Sequence, residues 1–436
     1  MAISLGAAND VLAEIWPKDQ CAVLYELARQ CPGQDVELTF GNSSLIILQS
    51  AGSFAHILRD RPEIYNKSLG KFVKLIGESR LSTDGDLWQY LRGLSNTDIT
   101  RVDPTSIINA VQSPFEAARD RLVETSSKGD PIDIDPIIEQ AAAKSVCDGL
   151  LGFPSEIYSA ETLADIVVLA RLARVLNYGG FGFEQEELER LVADGDAANE
   201  RLTARLDDMW DARVESSPQV NDLLARIFSD STGKVDPKGE ILTLFAAGFE
   251  TTASSIGWGL FLLANNPDLQ NELREECLTH LGRKGVSLEG LEACHRLQSF
   301  TRESLRIFPT LPMIGRMATE HDRIGDTLVR PGQIVLGSII GLHMNENVFP
   351  DPSTVDPSRF QNGVVPRELQ GNYMPFSDGR RVCPGVRFAS YEIAAALSIL
   401  LRALRVGSGP KVPLRFDWVF TLRRFGGQKL VFESLP

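Results

Sequence analysis

An aspartate followed by proline is a strong helix start: the acid caps free N–H groups and proline already holds the φ of a first turn. Asp236-Pro237 provides that start, and no breaker intervenes until Asn266-Pro267. The run is roughly thirty residues, about 45 Å of helix at 1.5 Å per residue. It reads ILTLFAAGF and then IGWGLFLLA, apolar over much of its surface. A helix that long with so little polar face must pass through the middle of its protein. The chain therefore folds around one long buried helix.

The rest of the pattern is mainly helical too. From Asp86 to about Gly233 the period is that of helices, with Pro104, Pro131, Pro154 and Pro218 at positions suited to helix starts. Residues 52–59 also look helical. Strand signals gather towards the two ends. Residues 36–50 read as a hairpin turning at Gly41-Asn42, residues 322–332 hold the turn residues of a small sheet, and residues 333–342 read as a strand. No repeat, low-complexity tract or long linker divides the 436 residues. The expected architecture is one domain over 1–436, α+β and mainly α.

A net charge of −14 excludes a nucleic-acid surface, which needs a basic stripe. The six cysteines are scattered with no C-x-x-C pair, which argues against a disulfide framework or structural zinc. The N-terminus has no basic leader, and Asn9, Asp10 and Glu14 interrupt its apolar residues. It is read as neither signal peptide nor membrane anchor, so a soluble, cytoplasmic protein is expected.

One cysteine stands apart. In Phe376-Ser377-Asp378-Gly379-Arg380-Arg381-Val382-Cys383-Pro384-Gly385 it follows a glycine-bearing loop and precedes an apolar helical run, VRFASYEIAAALSIL. Gly379 allows a tight turn, Arg381 offers a forked cation, and Gly385 removes a side chain where another surface must come close. A cysteine just ahead of a helix N-terminus is stabilised as a thiolate. Such a thiolate is what haem iron requires of an axial cysteine. The bland reading, a small buried hydrophobe, is outweighed by the four other fixed positions. The pattern Phe-x-x-Gly-x-Arg-x-Cys-x-Gly is complete and resembles the haem-binding loop of the cytochrome P450 family.

Three further constellations extend that resemblance over roughly residues 70–430. The central helix carries Ala246-Ala247-Gly248-Phe249-Glu250-Thr251-Thr252. From the residues alone this is either a helix–helix contact with a satisfied polar pair or a place where a flat ligand meets small residues. There the Thr251 hydroxyl either bonds a carbonyl one turn back or receives a ligand. By resemblance it is the family's oxygen-activation motif, with Glu250 and Thr251 as the catalytic proton carriers. Glu303 and Arg306 are three apart on a helix, and Arg359 follows in Asp356-Pro357-Ser358-Arg359-Phe360. In the family these positions form a buried structural network. Trp88 and Arg92 share a helix face, and Arg316 lies on an extended segment. By resemblance these three and Arg381 meet the haem propionates, with Phe376, Gly379 and Gly385 completing the cofactor loop around the metal ligand Cys383. The missing anchor suggests the soluble, bacterial type, whereas Trp88 resembles the eukaryotic branch.

The resemblance implies a P450 fold with the long helix over haem b (heme b, iron protoporphyrin IX) and small sheets at the periphery. It implies a monooxygenase that activates dioxygen and hydroxylates a small apolar substrate (terpenoid, steroid or fatty-acid-like). Electrons would come from NAD(P)H through a ferredoxin and ferredoxin reductase, or a flavodoxin-type donor, with Arg380 and Arg387 in the docking patch. The implied pocket draws on Phe72, Leu75, Ile76, Ala247, Thr310, Leu311, Met313, Ile314 and Thr421, under a lid at Tyr178 to Phe183. A peroxide-using or peroxide-rearranging enzyme and a non-enzymatic haem sensor are the alternatives.

Overall fold

A computed structural model describes residues 3–435 except 6–7, 42, 68, 70–72, 74–76, 127–128, 153–158, 179–184 and 217–221. The chain groups into two compact units. The first comprises Met1–Ser68, Arg302–Cys383 and Leu414–Phe425; the second comprises Leu69–Thr301, Pro384–Pro413 and Gly426–Pro436.

The second unit is helical and built on the long helix, Pro237–Ala264. Its start is as the sequence implies: the Asp236 carboxylate accepts the Gly239 N–H at 3.1 Å and Pro237 opens the first turn. Its end is set by two asparagines, whose side chains donate to the Phe261 and Leu262 carbonyls at 2.8 Å each, before Pro267 begins another helix. Helices Asp135–Val146 and Val386–Ala403 pack on it. Small residues permit that approach. A Cβ on Gly248 would lie 2.9 Å from Val146 Cγ1, and one on Gly259 would lie 3.5 Å from Leu397 Cδ1. A long helical pair, Ala160–Tyr178 and Gln185–Ser216, is pinned by the buried Asp165, which pairs with Arg205 at 3.0 Å and with Arg201 at 2.5 Å. Strands Leu404–Ser408, Lys429–Ser434 and Ile132–Asp133 form a small antiparallel sheet.

The first unit holds a six-stranded mixed sheet. Its spatial order is Ile3–Ser4, Val36–Phe40, Ser43–Leu48, Ile334–Ser338, Met313–Ala318, Tyr65–Asn66. The hairpin turns at Gly41 in left-handed conformation (φ 59°), as its sequence suggests. Ile46, Leu48, Phe54, Ile57, Leu58, Val335 and Leu342 belong to one buried core against this sheet. Two short hairpins, Asp322–Ile324 with Thr327–Val329 and Phe416–Trp418 with Leu422–Arg424, complete the unit.

Two local readings need correction. The strand expected over 333–342 stops at Ser338, whose hydroxyl caps a helix, Ile339–His343, by accepting the Gly341 N–H at 2.8 Å. Pro131 precedes a strand; the helix start is at Asp135, with proline next to it. The helix expected over 52–59 is present, α over Ala51–Ala55 and a π-turn over His56–Asp60. Pro154 and Pro218 lie outside the described residues. Among the described residues no helix is long and apolar enough to cross a membrane.

The two helix glycines should separate on the same substitution. Gly259→Ala adds a methyl at ordinary contact distance and should stabilise by about 0.5–1 kcal/mol through helix propensity. Gly248→Ala forces Val146 to move, and overpacking of about 1–3 kcal/mol outweighs that gain. Denaturant midpoints that rise for both variants would refute the tight fit at Gly248.

Candidate functional site

The Cys383 segment of the first unit is a tight loop. Ser377 (φ 62°) and Gly379 (φ 67°) are both left-handed. Gly379 is needed twice over, since a Cβ there would collide with the Leu58 carbonyl oxygen. Asp378 accepts the Gly379 N–H at 2.7 Å and so caps the short turn Gly379–Arg381. The loop closes where Cys383 N–H donates to the Phe376 carbonyl at 2.9 Å. Gly385 then caps the helix that begins at Val386. Cys21, Cys147, Cys277 and Cys294 are buried, while Cys31 and Cys383 are half-buried. Burial pushes the Cys147 thiol far up and the Cys31 thiol up, so neither is disposed to be a thiolate. Of the six, Cys383 alone pairs partial access with a following helix N-terminus.

The Glu303–Arg306 pair lies in the same unit and is wholly buried. Arg306 donates Nε to Oε2 at 2.8 Å and Nη2 to Oε1 at 2.7 Å, the two-pronged geometry a guanidinium favours. Its remaining nitrogen reaches the His343 carbonyl at 2.9 Å. Arg359 Nε stands 3.5 Å from Glu303 Oε1, and the Asp356 N–H donates to that same oxygen at 3.0 Å. His343 bridges the pair to the next segment. Its Nδ1 meets the Arg306 carbonyl at 3.1 Å and its Nε2 accepts the Met374 N–H at 2.8 Å. Burial first, then Arg306 beside it, hold its pKa down at about 3, so the ring is neutral.

The four residues expected to meet carboxylates divide between the units. Trp88 and Arg92 sit together on helix Gly85–Thr100 of the second unit, the guanidinium 5.3 Å from the ring centre. Arg316 is on strand Met313–Ala318 of the first unit, 8% exposed, with Nη1 donating to the Gly315 carbonyl at 2.8 Å. Arg381 is half-buried in the turn before Cys383.

On the central helix, the Thr251 hydroxyl donates to the Ala247 carbonyl at 2.8 Å, one turn back, the first of its two readings. Glu250 is buried. Ala246, Ala247 and Thr251 are half-buried in a helix that is otherwise almost wholly covered, so one face lies open at this turn. Gly248 does not contribute to that opening as the small-residue argument supposed; Val146 takes up its missing bulk. An acid that the sequence reading passed over is Glu392, on the helix after Cys383 and 0% exposed. Burial drives its carboxyl well above the ordinary value, and the Thr252 and Ser145 hydroxyls beside it offset this only in part. Those hydroxyls already donate to the Gly248 and Ala141 carbonyls. A glutamate inside the apolar run SYEIAAALSIL was the available signal.

Of the pocket residues, Thr310, Leu311, Met313 and Ile314 form one stretch of the first unit. The Leu422 N–H donates to the Thr310 carbonyl at 2.8 Å, which brings Thr421 alongside. Thr310, Met313 and Thr421 are buried, and Ile314 packs against the core of the large sheet. Ala247 belongs to the open face in the second unit. Phe72, Leu75, Ile76 and residues 179–183 of the expected lid lie outside the described residues, as does the Tyr178 side chain.

Two outcomes follow from the buried charges. Glu303→Ala strands a buried guanidinium and should lower stability by about 3–5 kcal/mol; an unchanged denaturant midpoint would contradict the network. For Glu392 the folded pKa exceeds the unfolded value of about 4.5. The acid's contribution is therefore complete below that pH and is lost as pH rises towards the folded pKa. Glu392→Gln, a mimic of the neutral acid, should match the parent near pH 4 and become progressively more stable than it towards neutrality. Parallel pH–stability curves would mean that the carboxyl is ionised in the fold.

Known proteins resemble this chain along most of its length. Residues 213–424 match the family model Cytochrome P450. Cytochrome P450 6l1 of Blattella germanica is 27% identical over 91% of this chain and 83% of its own. Protein LUTEIN DEFICIENT 5, chloroplastic, of Arabidopsis thaliana is 22% identical over 89% and 70%. Taurochenodeoxycholic 6 alpha-hydroxylase of Sus scrofa is 31% identical, but over only 53% of this chain and 44% of its own. These are animal and plant proteins. In structure, the crystallised heme domain of a cytochrome P450DA mutant superimposes with a TM-score of 0.79 over 95% of this chain and 93% of its own, at 17% identity. The mainly helical α+β fold is that of a P450 heme domain, and in sequence the chain is similar to cytochrome P450 proteins.

Proposed function

We propose that the chain is a haem-thiolate monooxygenase that hydroxylates a small apolar molecule, with Cys383 as the iron ligand. The observation that carries this reading is the Cys383 loop: a half-buried thiol, with its N–H tied to Phe376, held in a turn fixed by two left-handed residues ahead of a helix. The residues present suit haem b. Cys383 would supply a soft thiolate donor, Arg316 and Arg381 of the first unit and Trp88 and Arg92 of the second would supply donors for the two propionates, and Ala246, Ala247 and Thr251 of the central helix are only half-buried. When bound, the haem supplies one-electron chemistry on dioxygen.

The protein's own part follows from its side chains. Cys383 would hold the iron through its sulfur, a donor that would lend it electron density. Arg92, Arg316 and Arg381 would neutralise propionates that are otherwise costly to bury. Thr251, at the open turn, can release its bond to the Ala247 carbonyl and hold a proton donor for dioxygen, while Glu250 behind it relays protons inward. Leu311, Met313, Ile314 and the methyls of Thr310 and Thr421 in the first unit are mainly apolar, as is Ala247 in the second, which suits a terpenoid, steroid or fatty-acid-like substrate. Electrons come from NAD(P)H through separate proteins, a ferredoxin and its reductase or a flavodoxin-type donor. The exposed Arg380 and Arg387 on this acidic chain favour an acidic docking partner.

Two substitutions test the reading together. Cys383→Ser should abolish the red-shifted Soret band of the reduced carbon monoxide complex, and a band that survives would assign the ligand elsewhere. Thr251→Ala should keep that band yet consume NAD(P)H while releasing hydrogen peroxide in place of product. If product formed per NAD(P)H is unchanged in Thr251→Ala, the threonine takes no part in proton delivery.

A further inference from the structure

We propose that Asp322 is a positioning residue for the Cys383 loop, acting through the π-turn His56–Asp60; this rests on Cys383 being the iron ligand. Asp322 opens a short hairpin strand in the first unit, and its side chain is 8% exposed. One carboxylate receives three donors. His56 Nε2 stands 2.7 Å and the Tyr65 hydroxyl 2.8 Å from Oδ2, and Arg61 Nη1 stands 3.4 Å from Oδ1. His56 is the first residue of the π-turn and Arg61 follows its last, so Asp322 clamps both ends of the turn.

Between the clamped ends, the turn braces the ligand loop. The Leu58 carbonyl sits so close to Gly379 that no side chain could stand there. Arg59 Nε lies 3.3 Å from Asp378 Oδ2, and the other oxygen of Asp378 caps the turn that leads to the cysteine. Asp378 therefore takes its position from Arg59 and passes it to Gly379. The path is continuous from Asp322 through His56 and Arg61 to the π-turn, then through Leu58 and Arg59 to the loop. A π-turn has a widened, less regular backbone and needs outside support to hold one geometry. Burial alone would raise the Asp322 carboxyl, yet its donors hold it below the usual range, which keeps the clamp charged.

A purely structural latch would lower stability and leave the ligand geometry alone, so the readouts are spectroscopic. They are the rate at which the reduced carbon monoxide complex loses its thiolate band, and the ferric/ferrous reduction potential. In the full-length holoprotein, Arg59→Ala, which alters an exposed side chain, should speed loss of the band roughly two- to fivefold, the range of a part-exposed ion pair. Asp322→Ala should speed it roughly tenfold or more, the penalty of unclamping buried donors. The double variant should be no worse than Asp322→Ala, because both side chains lie on one path. Arg201→Ala, which breaks a comparable pair in the second unit, is the control and should leave rate and potential at the parent's values. If Asp322→Ala does not fold, Asp322→Asn and Arg59→Ala carry the same comparison. Single variants that keep the parent's rate and potential, or effects that simply add in the double variant, overturn the proposal. Absence of a thiolate band in the parent itself would instead overturn the assignment of Cys383.

Discussion

The buried pairing of Glu303 with Arg306 constrains the first unit more than any other interaction. Neither side chain reaches solvent, and removing two ions from water costs more than their mutual attraction returns unless every remaining donor and acceptor is met. The surrounding chain meets them: the His343 carbonyl, the Asp356 N–H and the Arg359 guanidinium all converge on the pair. Each contact ties a separate segment of chain to the pair. His343 carries the constraint on to Met374, two residues before Phe376 opens the ligand loop. Part of the rigidity of the cysteine loop thus derives from an ion pair about eighty residues upstream.

The second unit is organised differently, by the close approach of apolar helices. Gly248 and Gly259 let helices Asp135–Val146 and Val386–Ala403 come near to the long helix. The space left by Gly248 is used for that packing, while Ala247 and Thr251 stay partly uncovered. A single helical turn therefore serves both helix packing and the open face. Glu392 lies in the same packed region, wholly buried beside the Thr252 and Ser145 hydroxyls, and burial makes its neutral form the one the fold prefers.

Much of the candidate site was legible in the sequence because its signals are local. A left-handed turn asks for glycine, a helix start asks for an acid and a proline, and i,i+3 charges on a helix can meet. Gly379, Asp236-Pro237 and Glu303–Arg306 follow those rules with neighbours only a few residues away. Their depth of burial and their later partners were not legible in the same way. Arg359 and His343 reach Glu303 and Arg306 from more than thirty residues off, and without the family resemblance no spacing rule would have joined them.

The sequence by itself determined the long helix, the hairpin at Gly41 and the shape of the cysteine loop, since φ preference, capping and periodicity act within a turn or two of chain. Only the tertiary structure decided which side chains fill the gaps those elements leave. Residues 339–343 became helix because Ser338 caps them against the packed sheet, although their composition suits a strand equally well. The Gly248 cavity went to Val146, and the Asp322 carboxylate gathered His56, Arg61 and Tyr65 from some 260 residues away. Such choices depend on desolvation and close contact between distant segments, and these exist only once the chain has folded.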